Sequence, residues 1–156
     1  MRLSDTYTID LDGIDKIILK ELMQDAKTPI AKIAKKVGVS STAIHQRIKK
    51  MEAHRIVLNA VTPLNYKVLG YKTTAYVGVF LDKSAHYKDA INAMEKIMEI
   101  TEAHFTTGNY AIFIKILCRD NDHLMQVLRK IQEINGIDRT ETIISLEQSI
   151  SRQINP

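Results

Sequence analysis

The chain has 156 residues, 45% hydrophobic and 26% charged, with one cysteine and a formal charge of +4. That size allows one medium or two small globular domains, and that balance excludes a disordered polyelectrolyte. A single cysteine, Cys118, excludes an internal disulfide framework, no apolar run approaches the ~18 residues of a membrane span, and the acidic stretch Met1–Asp12 does not read as a secretory leader.

The first elements are helical. Leu11, Ile14, Ile17, Ile18 and Leu22 recur at helical spacing, and Asp12 suits the N-cap of a helix over 13–24. Pro29 ends that run and suits the first turn of a second helix over 29–37, with Ile30, Ile33, Ala34 and Val37 on one face. Gly38 supplies the left-handed stop. Ser40 then caps a third helix to about Ala53, with Ile44, Ile48 and Met51 turned inward. Residues 56–62 are β-branched and read as a connecting strand ended by Pro63, and Gly70 marks a boundary.

The second half has a different rhythm. Alternation over 72–82 predicts a strand. Ser84 caps a helix to about Met98, with Ile91, Met94, Ile97 and Met98 buried. Strands over 101–107 and 110–118 flank Gly108-Asn109, a two-residue hairpin signal. Asp120 or Asn121 caps a helix to about Ile134 carrying Leu124, Val127, Leu128 and Ile131, Gly136 closes it, and 138–148 form a last strand. The order β-α-β-β-α-β is that of a split βαβ, ferredoxin-like unit. The class is therefore α+β, divided as 1–57 (helix-turn-helix), 58–70 (linker strand) and 71–156 (ferredoxin-like). Cys118 ends an apolar run and reads as core packing.

Charge is concentrated. Between Lys27 and Arg55 stand eight basic residues, Lys27, Lys32, Lys35, Lys36, Arg47, Lys49, Lys50 and Arg55, against the single acid Glu52. The rest of the chain is mildly acidic. This is the footprint of a polyanion partner or of a solvated lysine-rich face. Spacing favours the first. A helix-turn-helix needs a small residue at the helix crossing (Ala34), a turn residue four positions later (Gly38), and apolar anchors on the second helix (Ile44, Ile48). The N-terminal turn of that helix meets base edges in the major groove. Here it offers Ser40, Ser41, Thr42, His45 and Gln46, with Arg47, Lys49 and Lys50 adding positive charge toward phosphates. Free N–H groups over Ser40–Thr42 suit a phosphate. The partner expected is double-stranded DNA.

These residues resemble the leucine-responsive and asparagine-responsive regulator (Lrp/AsnC) family of prokaryotes. Leu11-Asp12-Gly13-Ile14-Asp15-Lys16-Ile17-Ile18-Leu19 is similar to that family's opening "LDxxDxxIL". Ile33 to Ser40 resembles its "LAxxVGLS", and Thr42 to Ile48 its "TVxxRI". The resemblance spans residues 10–150. It implies a winged helix-turn-helix joined to a ferredoxin-like domain, sheets paired into a dimer, and dimers commonly assembled to octamers. It also implies an amino-acid effector bound between subunits near the hairpin Thr106-Thr107-Gly108-Asn109-Tyr110-Ala111. Two departures stand out. The family's Gly-Asp-Tyr-Asp is here Gly108-Asn109-Tyr110-Ala111, without either carboxylate. Its usual glycine after the recognition helix is here His54-Arg55, which either adds a phosphate contact or is a tolerated surface change.

Catalytic signatures are absent from the sequence: no P-loop, GxGxxG, nucleophile elbow or Cys/His cluster occurs. His45, His54, His86, His104 and His123 lack metal-ligand spacing, and the pair Asp120/Asp122 reads as helix capping. An enzymatic alternative would need Tyr110, His104 and Glu102 to converge near the hairpin. The expectation is a cytoplasmic, sequence-specific DNA-binding regulator without cofactor, metal or enzymatic activity. A nucleoid-like architectural protein without effector sensing is the alternative.

Overall fold

The computed structural model describes residues 10–156, so most of the stretch Met1–Asp12 lies outside the described residues. Two compact units form. One holds the described residues up to Thr62 together with Ser151–Pro156; the other is Pro63–Ile150. Both bounds differ from the sequence-based division. Residues 63–70 join the second unit because their turns close on it: Tyr71 N–H donates to Tyr66 O at 2.9 Å, and the two rings meet edge-on at 6.1 Å.

The first unit is α1 (Gly13–Gln24), α2 (Ile30–Val37) and α3 (Ser41–Ala53). Asp12 and Asp15 form a capping box that starts α1. Gly38, at φ +74°, stops α2 in the left-handed region. Ser40 Oγ accepts from Ala43 N–H at 3.1 Å and starts α3. Ile18, Leu19, Ile33, Ala34, Ile44 and Met51 are buried together, and Ala34 lies in this core as a helix crossing requires. Leu19 replaces the expected Ile17, which lies at the exposed edge of α1. Arg47 reaches from α3 to the start of α1, 2.6 Å from Asp12 Oδ2 and 2.8 Å from Asp15 Oδ1. Glu21, the buried carboxylate of α1, pairs with Lys36 of α2. The helices are thus joined by three charge-assisted contacts around an apolar centre.

The second unit is β1 (Thr73–Leu81), a 3₁₀ turn (Ser84–His86), α4 (Tyr87–Met94), β2 (Ile100–Phe105), β3 (Ile112–Cys118), α5 (Asn121–Gln132) and β4 (Ile137–Ser145). The sheet order is β2-β3-β1-β4, antiparallel throughout. Alternation places Ala75, Val77 and Val79 with Ile112, Ile114, Ile116 and Cys118 on one face. Ala90 and Met94 of α4 and Leu124, Val127 and Ile131 of α5 cover them. Burial pushes the Cys118 thiol up to about 11, so it is a packing residue. Asp120 caps α5 through His123 N–H at 2.8 Å.

Within this unit, no described helix packs on the opposite face. Tyr76, Phe113, Tyr110 and Phe80 run along it, with neighbouring ring centroids 5.2–6.0 Å apart, and Arg139 lies 3.8 Å above the Phe80 ring. Tyr110 lies flat on Gly78, where a Cβ would stand 2.4 Å from the ring. Its hydroxyl donates to Glu141 Oε2 at 2.9 Å.

Four local expectations are corrected. Residues 56–62 form no strand. Ile56 and Val57 turn back onto Met51 O and pack with the helices, and no described backbone group pairs with 58–62. β-branched composition makes a strand only where a neighbour supplies hydrogen bonds. Among the described residues no strand precedes Thr73. α4 stops at Met94 rather than Met98, because Glu99 O already accepts from Leu117 N–H at 2.9 Å and must be extended. Met98 is consequently 87% exposed. The Gly108-Asn109 turn is wider than two residues: Thr106 N–H donates to Ala111 O at 3.2 Å, and Phe105 opposite Ile112 is the last paired position. β4 ends at Ser145 rather than 148, opposite Thr74 near the start of its partner β1.

Gly78→Ala is expected to lower the stability of the second unit by about 1–3 kcal/mol, read by tyrosine fluorescence in urea, since every described tyrosine lies there. Gly13→Ala, whose added Cβ meets nothing, is expected to be neutral or slightly stabilising. The Asp15 backbone N–H, and after it Arg47, hold the Asp12 carboxyl below the ordinary carboxylate range. A depressed carboxylate contributes stability above its unfolded value and loses it as pH falls through the folded one. The helical unit therefore weakens as pH drops below about 4, and Arg47→Ala shows a shallower dependence there; helical circular dichroism during thermal unfolding, repeated across pH, measures both.

Candidate nucleic-acid interface and effector loop

Once its apolar edge is buried, α3 has a defined outer side. At 100° per residue, Thr42, His45, Gln46, Lys49 and Ala53 share one stripe opposite Ile44, Ile48 and Met51. Ser41, Thr42, His45, Gln46, Lys49 and Lys50 are all exposed. None of these six side chains makes a hydrogen bond or ion pair among the described residues. A row of unspent donors and acceptors on a rigid helix is what a groove-reading surface requires.

Two site residues read from the sequence have other duties. The Ser40 hydroxyl is engaged in capping. Arg47 is one-third exposed, but its guanidinium is held by Asp12 and Asp15. Arg47 is therefore a positioning residue that fixes α3 against α1, not a free cation on the outer stripe. Both acids sit in the opening segment of the chain, and sequence reading used Asp12 only as a cap. Nothing in the spacing of residues 32 and 35 apart signalled their pairing with Arg47.

The local charge divides the same way. Lys36 is neutralised by Glu21 and Arg47 by the two aspartates. Lys27, Lys32, Lys35, Lys49, Lys50 and Arg55 stay exposed and unpaired among the described residues. The positive surface thus survives in six of the eight cations. His54 closes α3: its backbone N–H and ring Nδ1 both donate to Lys50 O, at 3.1 and 2.7 Å.

The loop Thr106–Ala111 brings its six residues together, in two classes. Thr106 Oγ1 donates to Tyr110 O at 2.7 Å, and Ala111 N–H donates to Val79 O at 3.0 Å. Tyr110 is pinned on Gly78 and bound to Glu141; that hydrogen bond, and after it the carboxylate's charge, pushes the phenol pKa up. Thr107, Gly108 and Asn109 form an exposed tip, with Gly108 at φ +103°. Gly78 and Glu141 were missed from the sequence; only the register of β4 on β1, Glu141 opposite Gly78, reveals them.

Each residue of the enzymatic alternative has a partner in the fold. Tyr110 OH binds Glu141, Glu102 binds Lys115 at 2.8 Å, and His104 stands 3.7 Å from Glu102. No described helix is long and apolar enough to cross a membrane.

Comparison with known proteins agrees with both halves of this description. Residues 11–52 match the AsnC-type helix-turn-helix domain, and residues 74–154 match the Lrp/AsnC ligand binding domain. The chain is 42% identical to the regulatory protein AsnC of Escherichia coli over 147 residues, 94% of this chain and 97% of that one. It is 31% identical to the HTH-type transcriptional regulator FL11 of Pyrococcus furiosus over 137 residues, 88% and 90% of the two chains. The solved structure of E. coli AsnC superposes with a TM-score of 0.92, covering 95% of this chain and all of that one. A complex of the Neisseria meningitidis transcriptional regulator NMB0573 with L-methionine shares the fold at a TM-score of 0.87 and 18% identity, over 94% of this chain and 97% of that one. Sequence, architecture and an outward polar helix on a positive surface agree: this chain belongs to the Lrp/AsnC family and is a DNA-binding transcriptional regulator.

Proposed function

We propose that the chain acts in the cytoplasm as a symmetric dimer reading pseudo-palindromic duplex DNA, without enzymatic activity of its own. The outer stripe of α3 enters the major groove in each half-site. Thr42, His45 and Gln46, with Ser41, meet base edges, Lys49 and Lys50 meet phosphates, and the N–H groups over Ser40–Thr42 face a phosphate at the helix start. The observation that carries this reading is the unspent state of those six exposed side chains on a helix anchored by its other edge. Gln suits adenine because its amide donates and accepts at once.

The helix-free sheet face supports self-association. Tyr76 and Phe113 lie on it, and Ile143, 58% exposed, sits opposite Tyr76. Pairing of two such faces buries apolar area that no described helix of its own unit covers. Dimers assemble further, to octamers, and an amino acid binds between subunits at the loop Thr106–Ala111. The L-methionine complex of the Neisseria relative supports that ligand class. In this chain Thr107, Asn109 and the backbone of the tip are the groups free to meet it, since Thr106 and Tyr110 are engaged. Effector binding regulates only by favouring one assembly over another, which requires unequal affinity for the two.

Lys49→Ala is expected to weaken binding to every duplex alike and to lower the salt slope by about 1. Gln46→Ala is expected to relax preference at one base position, by about 1–3 kcal/mol. Fluorescence anisotropy on selected and scrambled duplexes separates the two; unchanged affinity in both variants rejects α3 as the reading element. Genomic footprinting with and without pooled amino acids tests the effector. Altered protection that disappears in Asn109→Ala is expected, and an identical footprint under both conditions indicates that this loop does not sense amino acids.

A further inference from the structure

Arg55 is the only non-glycine residue with positive φ among those described, at +58°. It stands just past α3, where the chain reverses. Arg55 N–H donates to Glu52 O and Ile56 N–H to Met51 O, both at 2.9 Å, while Val57 N–H reaches Met51 O at 3.3 Å. This is a left-handed helix stop, the position at which glycine is favoured because a Cβ crowds the neighbouring carbonyl. A bulky residue is strained there.

The fold gains nothing visible from the side chain that incurs this strain. Arg55 is exposed and forms no ion pair or side-chain hydrogen bond among the described residues. Its neighbour His54 is different: its ring closes the helix end on Lys50 O. So the His54-Arg55 pair splits into a capping residue and a strained, unengaged cation. That cation follows Ala53, the last position of the outer stripe of α3, and stands close in sequence to Lys49 and Lys50.

We propose that Arg55 is a phosphate-binding residue at the C-terminal end of the recognition helix, extending the backbone contacts of Lys49 and Lys50. The ligand class is the phosphodiester backbone of duplex DNA, which a planar guanidinium grips through two parallel N–H groups. This rests on the DNA-binding reading above and adds to it a residue retained for its charge against the preference of its backbone.

The test uses the full chain and a sonicated random-sequence duplex, because phosphate contacts do not depend on sequence. Wild type, R55G, R55N and R55K are compared by thermal unfolding and by anisotropy titrations across salt. R55G is expected to raise Tm by a few degrees, as the strain is relieved. The same variant is expected to bind about five- to ten-fold more weakly at ~0.1 M salt, with a salt slope lower by about 1. R55N, which tolerates the left-handed region without the charge, weakens binding likewise, and R55K retains most of the affinity. Opposite movements of stability and affinity are something a merely structural residue does not produce. R55G with wild-type affinity and slope overturns the proposal, as does R55G that loses both stability and affinity while R55K is equally weak. Failure of the wild-type chain to bind the duplex even at ~50 mM salt overturns the DNA-binding reading itself, and the Arg55 assignment with it.

Discussion

A helix offers one side to a ligand only as firmly as its other side is held, and α3 is held by Ile44, Ile48 and Met51 with Arg47 at their edge. The apolar residues supply most of the burial. They are non-directional, however, and tolerate rotation of the helix about its axis. The two contacts from Arg47 to Asp12 and Asp15 do not. They tie one point of α3 to the capped start of α1 and so set the rotation of the outer stripe. A partly exposed ion pair contributes modestly to net stability; its larger consequence is geometric.

A similar division of labour runs through the charges. The basic segment looks uniform when counted, yet it contains two populations. Lys36 and Arg47 are consumed in joining helices. The remaining six lie outward, where low mutual compensation keeps the surface positive. Attraction to a polyanion depends on the second population alone, and the first decides where that population stands.

In the second unit the governing constraint is the two-sidedness of a four-stranded sheet. Both helices of the unit cover one face, so the aromatic row on the other has no helix of its own unit packed on it. Tyr110 links this face to the loop ahead of it. Its ring fits because position 78 has no side chain, and its hydroxyl meets Glu141 on the edge strand. The loop Thr106–Ala111 is therefore anchored at one end to this aromatic face, while its tip Thr107–Asn109 is exposed.

By itself the sequence determined the helix and strand order, the core residues of most elements, the Gly38 stop, the Ser40 cap and the family. Each of these is encoded locally, in periodicity or in a capping residue a few positions away. Tertiary structure alone decided the rest. Arg47 turned inward because two carboxylates more than thirty residues earlier are its neighbours in space. Residues 58–62 form no strand because no described strand lies beside them to supply hydrogen bonds. Met98 was expelled because Glu99 had to be extended to pair with β3, and Tyr110 crossed to Gly78 through a register no local pattern records. Periodicity assigns a side chain to a face of its own element; which group waits there is a property of the packed whole.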